Sequence, residues 1–242
     1  MSGELVVAKN LRKEYGEKRI KVIAIKDISL KVKKGEVILI LGPSGSGKTT
    51  LLSMIGCILT PDRGEIVIDG ENIKNMSEKE LSRIRREKIG FVFQGFNLLK
   101  SLTARENVEV NLNLIGIRGK TAREKSIRIL IELGLEDRVD FYPDDLSIGE
   151  KQRVSIARAI INNTKIILAD EPTGSLDLKN GQKIAKILKR LAKEYKIPVI
   201  IVTHDNRIED IADRILYLED GMIKDEKILY SKSNLSIEKL RS

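Results

Sequence analysis

Gly42-Pro43-Ser44-Gly45-Ser46-Gly47-Lys48-Thr49 is the stretch on which the reading of this chain turns. It fits G-x-x-x-x-G-K-[ST], a phosphate-binding pattern. The apolar run Val37-Ile38-Leu39-Ile40-Leu41 precedes it and predicts a buried strand, and residues 50–58 follow with apolar side chains at helical spacing. Strand, glycine-rich loop and helix form the context the pattern needs. The glycines let backbone N–H groups turn inward around phosphate oxygens. The helix start adds unpaired donors and a partial positive charge. In such a loop Lys48 brings a full charge to the β- and γ-phosphates, and Thr49 offers its hydroxyl to Mg²⁺. The competing reading is a plain glycine turn. A chance match in a chain this long has a probability on the order of one per cent, given glycine usage of about 7%.

The 242 residues suffice for a substantial core, and 41% hydrophobic content is that of a globular protein. No apolar run approaches the roughly 20 residues that span a bilayer. The start, Met1-Ser2-Gly3-Glu4, lacks the regions of a signal peptide, which predicts a cytoplasmic protein. One cysteine, Cys57, excludes an internal disulfide and reads as a small buried hydrophobe. The net charge of +9 would suit nucleic acid or an anionic membrane surface. Because Lys, Arg, Asp and Glu are mixed rather than blocked, a solvated surface is the simpler reading.

Outward from the loop, short strands are expected at residues 5–8, 20–25 and 28–32, with Tyr15 between the first two. Strands are also expected at 65–69 and 89–93, the latter ending at Gln94. Ser77/Glu80, Thr103/Glu106, Thr121/Glu124 and Ser147/Glu150 are spaced as capping boxes and predict four helix starts. No strong strand is visible from about 96 to 164, which predicts a helical insert in an α/β domain. Ile166-Ile167-Leu168-Ala169 is a buried strand ending in Asp170-Glu171; a Lys-rich helix follows at about 181–195. Val199-Ile200-Ile201-Val202 ends in Thr203-His204-Asp205, and Asp220-Gly221 marks a hairpin.

Three apolar strands thus deliver polar residues at their C-terminal ends: the loop 42–49, Asp170-Glu171, and His204. In a parallel sheet those ends share one edge, where ligands bind in open α/β folds. The chemistry fits one polyphosphate. Asp170 would help hold Mg²⁺, Glu171 would orient and deprotonate the attacking water, Gln94 could join metal or water, and His204 could donate to the γ-phosphate. Each has a plainer alternative: a turn cap for Asp170-Glu171, a satisfied core or surface histidine, and a solvated loop glutamine.

In this order, with Leu146-Ser147-Ile148-Gly149-Glu150 and Ser175-Leu176-Asp177 added, the chain resembles an ABC-type nucleotide-binding domain over nearly its whole length. Phe91-Val92-Phe93-Gln94, residues 102–108 and residues 170–177 further resemble the branch serving lipoprotein-release, macrolide-export and cell-division-type transporters. The resemblance implies an α/β phosphate-loop NTPase core with a mixed sheet, an antiparallel β subdomain near the N-terminus and a helical insert. The expected division is one domain, 1–242, with an ATP-binding core at 1–95 and 165–227, a helical subdomain at 96–164 and a tail at 228–242. It implies an ATPase with ATP and Mg²⁺ as ligands. Nucleotide contacts are expected from Gly42, Pro43, Ser44, Gly45, Ser46, Gly47, Lys48, Thr49 and Thr50, with Tyr15 stacked on adenine; metal contacts are expected from Thr49, Gln94 and Asp170. Two copies would close head to tail, with Ser147, Gly149 and Glu150 facing the opposite copy's nucleotide and Asp177 communicating across the interface. A separate transmembrane permease would use the motion for export or extraction, holding the chain at the inner face of the cell membrane. Ile148 and Glu150 depart from the commonest signature, Leu-Ser-Gly-Gly-Gln, and are expected to weaken dimer closure. The runner-up is a soluble ABC ATPase acting on nucleic acid or ribosomes; paired ATPase domains, coiled coil and zinc-binding cysteines are not visible, so nucleic acid is an unlikely partner.

Overall fold

A computed structural model describes residues 3–16 and 21–229. In chain order the elements are β1 (Glu4–Tyr15), β2 (Val22–Lys33), β3 (Val37–Leu41), α1 (Lys48–Ile55), β4 (Arg63–Ile68), β5 (Glu71–Asn72), α2 (Glu78–Lys88), β6 (Ile89–Val92), α3 (Ala104–Leu114), α4 (Gly119–Glu132), α5 (Ile148–Ile160), β7 (Ile166–Asp170), α6 (Leu178–Tyr195), β8 (Val199–Thr203), β9 (Arg214–Glu219) and β10 (Met222–Ile228). They form two sheets. One is antiparallel, in the order β2-β1-β4-β5; the other runs β10-β9-β3-β8-β7-β6 and is parallel except for β10.

The large sheet is buried on both faces, which is why β3 and β8 read as unbroken apolar runs. Alternate side chains of each strand enter different cores. Val37, Leu39, Ile167, Ala169, Val199 and Ile201 pack with α5 and α6 residues such as Val154, Ile156, Ile184 and Leu188. Ile38, Ile40, Leu168, Ile200 and Val202 pack with Leu51, Met54 and Ile55 of α1 and with Leu11, Ile25 and Ile28 of the antiparallel sheet. The sheet is therefore held rigidly from both sides, and the loops at its C-terminal edge start from fixed points. Cys57 is buried beside α1, and burial pushes its thiol up to about 12.

Several expectations need revision. The strands expected at 20–25 and 28–32 are one strand, β2; its pairing with β1 shifts register between Leu11 and Lys13, so irregular pairing absorbs the break in alternation at Lys26-Asp27. Ile20 itself lies outside the described residues, as does the tail beyond residue 229. The loop helix begins at Lys48 and ends at Ile55, with Gly56 as C-cap. Thr121 does not cap a helix. α4 starts two residues earlier, after Arg118, without a side-chain cap, so Thr121 and Glu124 are an i,i+3 pair inside it. The other three capping boxes form as expected, at Ser77, Thr103 and Ser147. No strand occurs between β6 and β7.

Candidate active site

The loop between β3 and α1 is shaped by close backbone approach. Gly47 sits at φ +104, and a Cβ there would lie 2.5 Å from the Ala24 carbonyl oxygen on β2. A Cβ on Gly42 would lie 2.1 Å from the Leu218 oxygen. Only glycine meets both demands. The loop is further tied down where Gly221 N donates to the Ser46 carbonyl (3.1 Å) and Lys26 N donates to the Gly221 carbonyl (2.9 Å). Lys48 is buried and curls back over the loop, its Nζ donating to the carbonyls of Gly42 (2.7 Å) and Pro43 (2.9 Å). A polyphosphate would have to win that ammonium from two carbonyls, an exchange its negative charge favours.

β7 and β8 complete a cleft of about 390 Å³, lined by Ala24, Ser44, Gly45, Gly47, Lys48, Thr49, Thr50, Gln94, Asp170, Glu171 and His204. Thr49 Oγ1 lies 3.4 Å from Asp170 Oδ1. Burial raises the Asp170 carboxyl above the usual carboxylate range, and neighbouring Glu171 adds to this, while Thr49 and Lys48 pull the other way. Among the described residues no three His, Cys, Asp or Glu side chains are grouped so that they could hold a metal ion by themselves. One carboxylate with one hydroxyl suits a hard cation that keeps most of its ligands as water and phosphate oxygen, as Mg²⁺ does.

Glu171 is positioned with unusual completeness. Its backbone is left-handed, at φ +47, a conformation costing about 1–2 kcal/mol for a residue with a Cβ. Such strain persists where surrounding contacts over-determine it. Oε2 accepts from Thr203 Oγ1 (2.6 Å); Oε1 accepts from His204 N (3.1 Å) and lies 2.8 Å from His204 Nδ1. The Thr203 hydroxyl in turn accepts from Asp205 N (3.0 Å). Buried Asp205 accepts from Thr173 Oγ1 (3.1 Å) and pairs with Arg207 (2.7 Å), which holds its carboxyl below the usual range despite burial. Thr203 and Asp205 carried no assigned role in the sequence; the only signal was that they flank His204.

The remaining expected residues lie elsewhere. Tyr15 ends β1, exposed, and does not line the cleft. Ser147 caps α5: its Oγ donates to Glu150 Oε2 (2.8 Å) and accepts from Glu150 N (3.4 Å). Ser147 and Ile148 are exposed, while Gly149 is buried beside Asn180 at the start of α6. Asp177 caps α6 by accepting from Asn180 N (2.9 Å). None of Tyr15, Ser147, Gly149, Glu150 and Asp177 lines the cleft of its own chain. Arg158, near the other end of α5, was not anticipated at all. Its guanidinium donates to the carbonyls of Asn97 (2.6 Å) and Phe96 (2.7 Å), anchoring the loop that carries Gln94.

A glycine-rich loop on the central strand of a mixed sheet, facing a carboxylate pair at the end of a parallel strand one place removed, beyond β8, defines a phosphate-loop nucleoside triphosphatase. A family model described as ABC transporter matches residues 25–174. The ABC transporter ATP-binding protein MJ0796 of Methanocaldococcus jannaschii is 44% identical over 229 residues, 93% of this chain and 97% of that protein. Its dimeric structure, in a post-hydrolysis state bound to ADP and Pi, matches with a TM-score of 0.86 at 43% identity, over 93% of this chain and 99% of that one. The lipoprotein-releasing system ATP-binding protein LolD of Bacteroides thetaiotaomicron is 43% identical over 220 residues, 91% of this chain and 99% of LolD. The macrolide export ATP-binding/permease protein MacB of Photorhabdus laumondii is 44% identical over 221 residues, 90% of this chain but 34% of MacB. The chain belongs to the ABC transporter family and is an ATP-binding, ATP-hydrolysing subunit of that kind. The runner-up reading, an ATPase acting on nucleic acid or ribosomes, gains no support from these relatives.

Proposed function

We propose that two copies of this chain close head to tail around two ATP molecules with Mg²⁺, and that the cycle of closure and opening drives export or extraction of a substrate through a separate membrane subunit. One observation carries the reading. The cleft gathers Lys48, Thr49, Asp170, Glu171 and His204, yet Ser147 and Ile148 are exposed at the start of a helix outside it. An exposed helix start of the kind that binds phosphate, lying outside its own chain's cleft, supports a site completed by a second copy.

In this scheme the backbone of Gly42 to Thr49 and the Thr50 side of the helix start cradle the phosphates, with Lys48 on the β- and γ-phosphates. Thr49 and Asp170 hold Mg²⁺, which neutralises developing charge; Gln94 reaches the metal or the water. Glu171 takes the proton of the attacking water, and His204 donates to the γ-phosphate. Tyr15 stacks on adenine. Ser147, the Gly149 backbone and Glu150 face the opposite copy's nucleotide, and Asp177 meets the opposite copy's loop. No helix among the described residues is long and apolar enough to cross a membrane; in this scheme the pathway is supplied by a separate permease subunit. That subunit would hold the chain at the inner face of the membrane. A groove of about 470 Å³ fits its docking: it lies between α2, β6 and the helical insert, and exposed Leu99 and Leu114 line it beside Arg85, Arg86 and Arg158. The names of LolD and MacB make lipoprotein release and macrolide export precedents for such a substrate.

The test is light scattering on Glu171→Gln, with and without ATP and Mg²⁺. Loss of the base while keeping shape should trap ATP and convert monomer to dimer. A protein that binds ATP yet stays monomeric at all concentrations would refute the shared site.

A further inference from the structure

Glu150 places a carboxylate in the first turn of α5, two residues from the exposed Ile148 and hydrogen-bonded to Ser147 itself. In one chain alone this is favourable: the helix start welcomes negative charge, and the carboxylate caps two N-terminal groups. Facing a nucleotide polyphosphate it is not, because like charges repel. The structure supplies a counter-charge. Arg138 Nε donates to Glu150 Oε1 at 3.0 Å, while Oε2 accepts from both Ser147 N and Ser147 Oγ at 2.8 Å. Arg138 is itself held in place: its guanidinium lies 4.8 Å from the Phe141 ring centre, and Nη1 donates to the Asp137 carbonyl at 3.2 Å. The Glu150 side chain is 17% exposed and that of Arg138 39%, so the pair is only partly screened by water. Burial opposes ionisation of Glu150, yet Ser147 and Arg138 together hold its carboxyl below the usual range.

We propose that Arg138 is a positioning residue for the shared nucleotide site: it neutralises Glu150 and fixes the carboxylate on the Ser147 capping turn, so that a signature carrying glutamate can accept the opposite copy's γ-phosphate. This rests on the head-to-tail reading above. It also gives the departure at Glu150 a different weight from Ile148. The charge at 150 is compensated within the chain, whereas Ile148 is an exposed apolar side chain with no such partner.

The experiment uses the full chain in a Glu171→Gln background, with the ATP-dependent dimer constant measured by light scattering. Adding Arg138→Gln exposes an uncompensated carboxylate and should weaken the dimer by about tenfold or more, the order expected for one unit charge a few ångströms from a polyphosphate at a surface dielectric. Adding Glu150→Gln as well should restore the constant to within about twofold of the Glu171→Gln/Glu150→Gln protein. Binding of ATP to the monomer, read at low protein concentration, should stay within about twofold throughout, since Arg138 does not line that cleft. A triple variant as weak as Glu171→Gln/Arg138→Gln would mean that Arg138 merely braces its loop, and would overturn the proposal; so would no effect of Arg138→Gln. Failure of Glu171→Gln itself to dimerise would instead bring down the shared site, and this inference with it.

Discussion

Replacing Thr203 by valine tests the arrangement around Glu171 most directly. Thr203 is fully buried at the end of β8, and its hydroxyl makes two bonds: it donates to Glu171 Oε2 (2.6 Å) and accepts from Asp205 N (3.0 Å). A hydrogen bond to a charged group is worth about 1.5–3 kcal/mol; Glu171 keeps its His204 donors and some water, so the lower end applies. The buried Asp205 N–H would be left without its partner, at about 1–2 kcal/mol. Valine's extra apolar surface returns up to about 1 kcal/mol, and its shape opens no cavity. The net expectation is a loss of about 2 kcal/mol, or about 4–8 °C in Tm for a chain of this size. Thr203→Ser keeps both bonds and loses one methyl, about 1 kcal/mol. Urea denaturation of both variants, repeated in a Glu171→Ala background, separates the terms. There the cost of Thr203→Val should shrink by about 1.5 kcal/mol. If Thr203→Val proved milder than Thr203→Ser, or equally costly with and without Glu171, the assigned bond would not exist. Turnover should follow the same order, with Thr203→Ser close to the parent and Thr203→Val slower, because Glu171 loses one of the groups that orient it.

Two further predictions concern a backbone approach and a surface ion-pair cluster. Gly47→Ala meets the Ala24 carbonyl at 2.5 Å as well as backbone strain, and should cost about 2–4 kcal/mol and abolish ATP binding; Gly45→Ala, at φ +80 with open space around it, should cost only about 1 kcal/mol. Equal effects in urea denaturation and in a nucleotide-binding titration would contradict the close approach. Glu71 is held at about 2, below its ordinary 4.5, first by Arg83 and then by Lys88. A lowered carboxylate stabilises the fold above its unfolded value and loses that contribution as protons bind, so the stability gap between the parent and Glu71→Gln should close as pH falls from about 4.5 towards 2. Solvent screening at this surface pair keeps the gap small, and a gap that did not vary with pH would refute the ion-pair account.

Elements that carry their whole energetic reason in a few consecutive residues were legible. β3, β7 and β8 are apolar because both faces of the large sheet are buried, and their C-terminal residues therefore announced the shared edge. The capping boxes at Ser77, Thr103 and Ser147 were read from four residues each. Thr121 misled because a Thr-x-x-Glu spacing inside a helix is indistinguishable from one at its start. The register shift that lets β2 run on through Lys26-Asp27 depends on β1, not on β2. Thr203, Arg158 and Arg138 escaped notice for the same reason. Their partners lie 32, 61 and 62, and 12 residues away, distances over which a single sequence carries no periodic signal.

Helix α5 explains why those distant partners matter together. Near its N-terminal end Ser147 and Glu150 form the turn on which Arg138 acts; near its C-terminal end Arg158 grips the carbonyls of Phe96 and Asn97 in the loop that carries Gln94. Between them the helix is continuous over 13 residues and buries Val154, Ile156 and Ala157 against the core, so it moves as one body or not at all. Desolvation of the Arg158 guanidinium, which draws its pKa down, is tolerable only while both carbonyls remain bonded. On the head-to-tail reading, a pull on Ser147 by the opposite copy's phosphate is therefore transmitted to the Gln94 loop by a stiff rod with a clamp at its far end. The apolar groove beside that loop is the surface such a displacement would reshape, and it is the surface assigned above to the membrane subunit. Coupling between nucleotide and transport then needs no long chain of side-chain rearrangements: one helix, its capping turn and one arginine suffice.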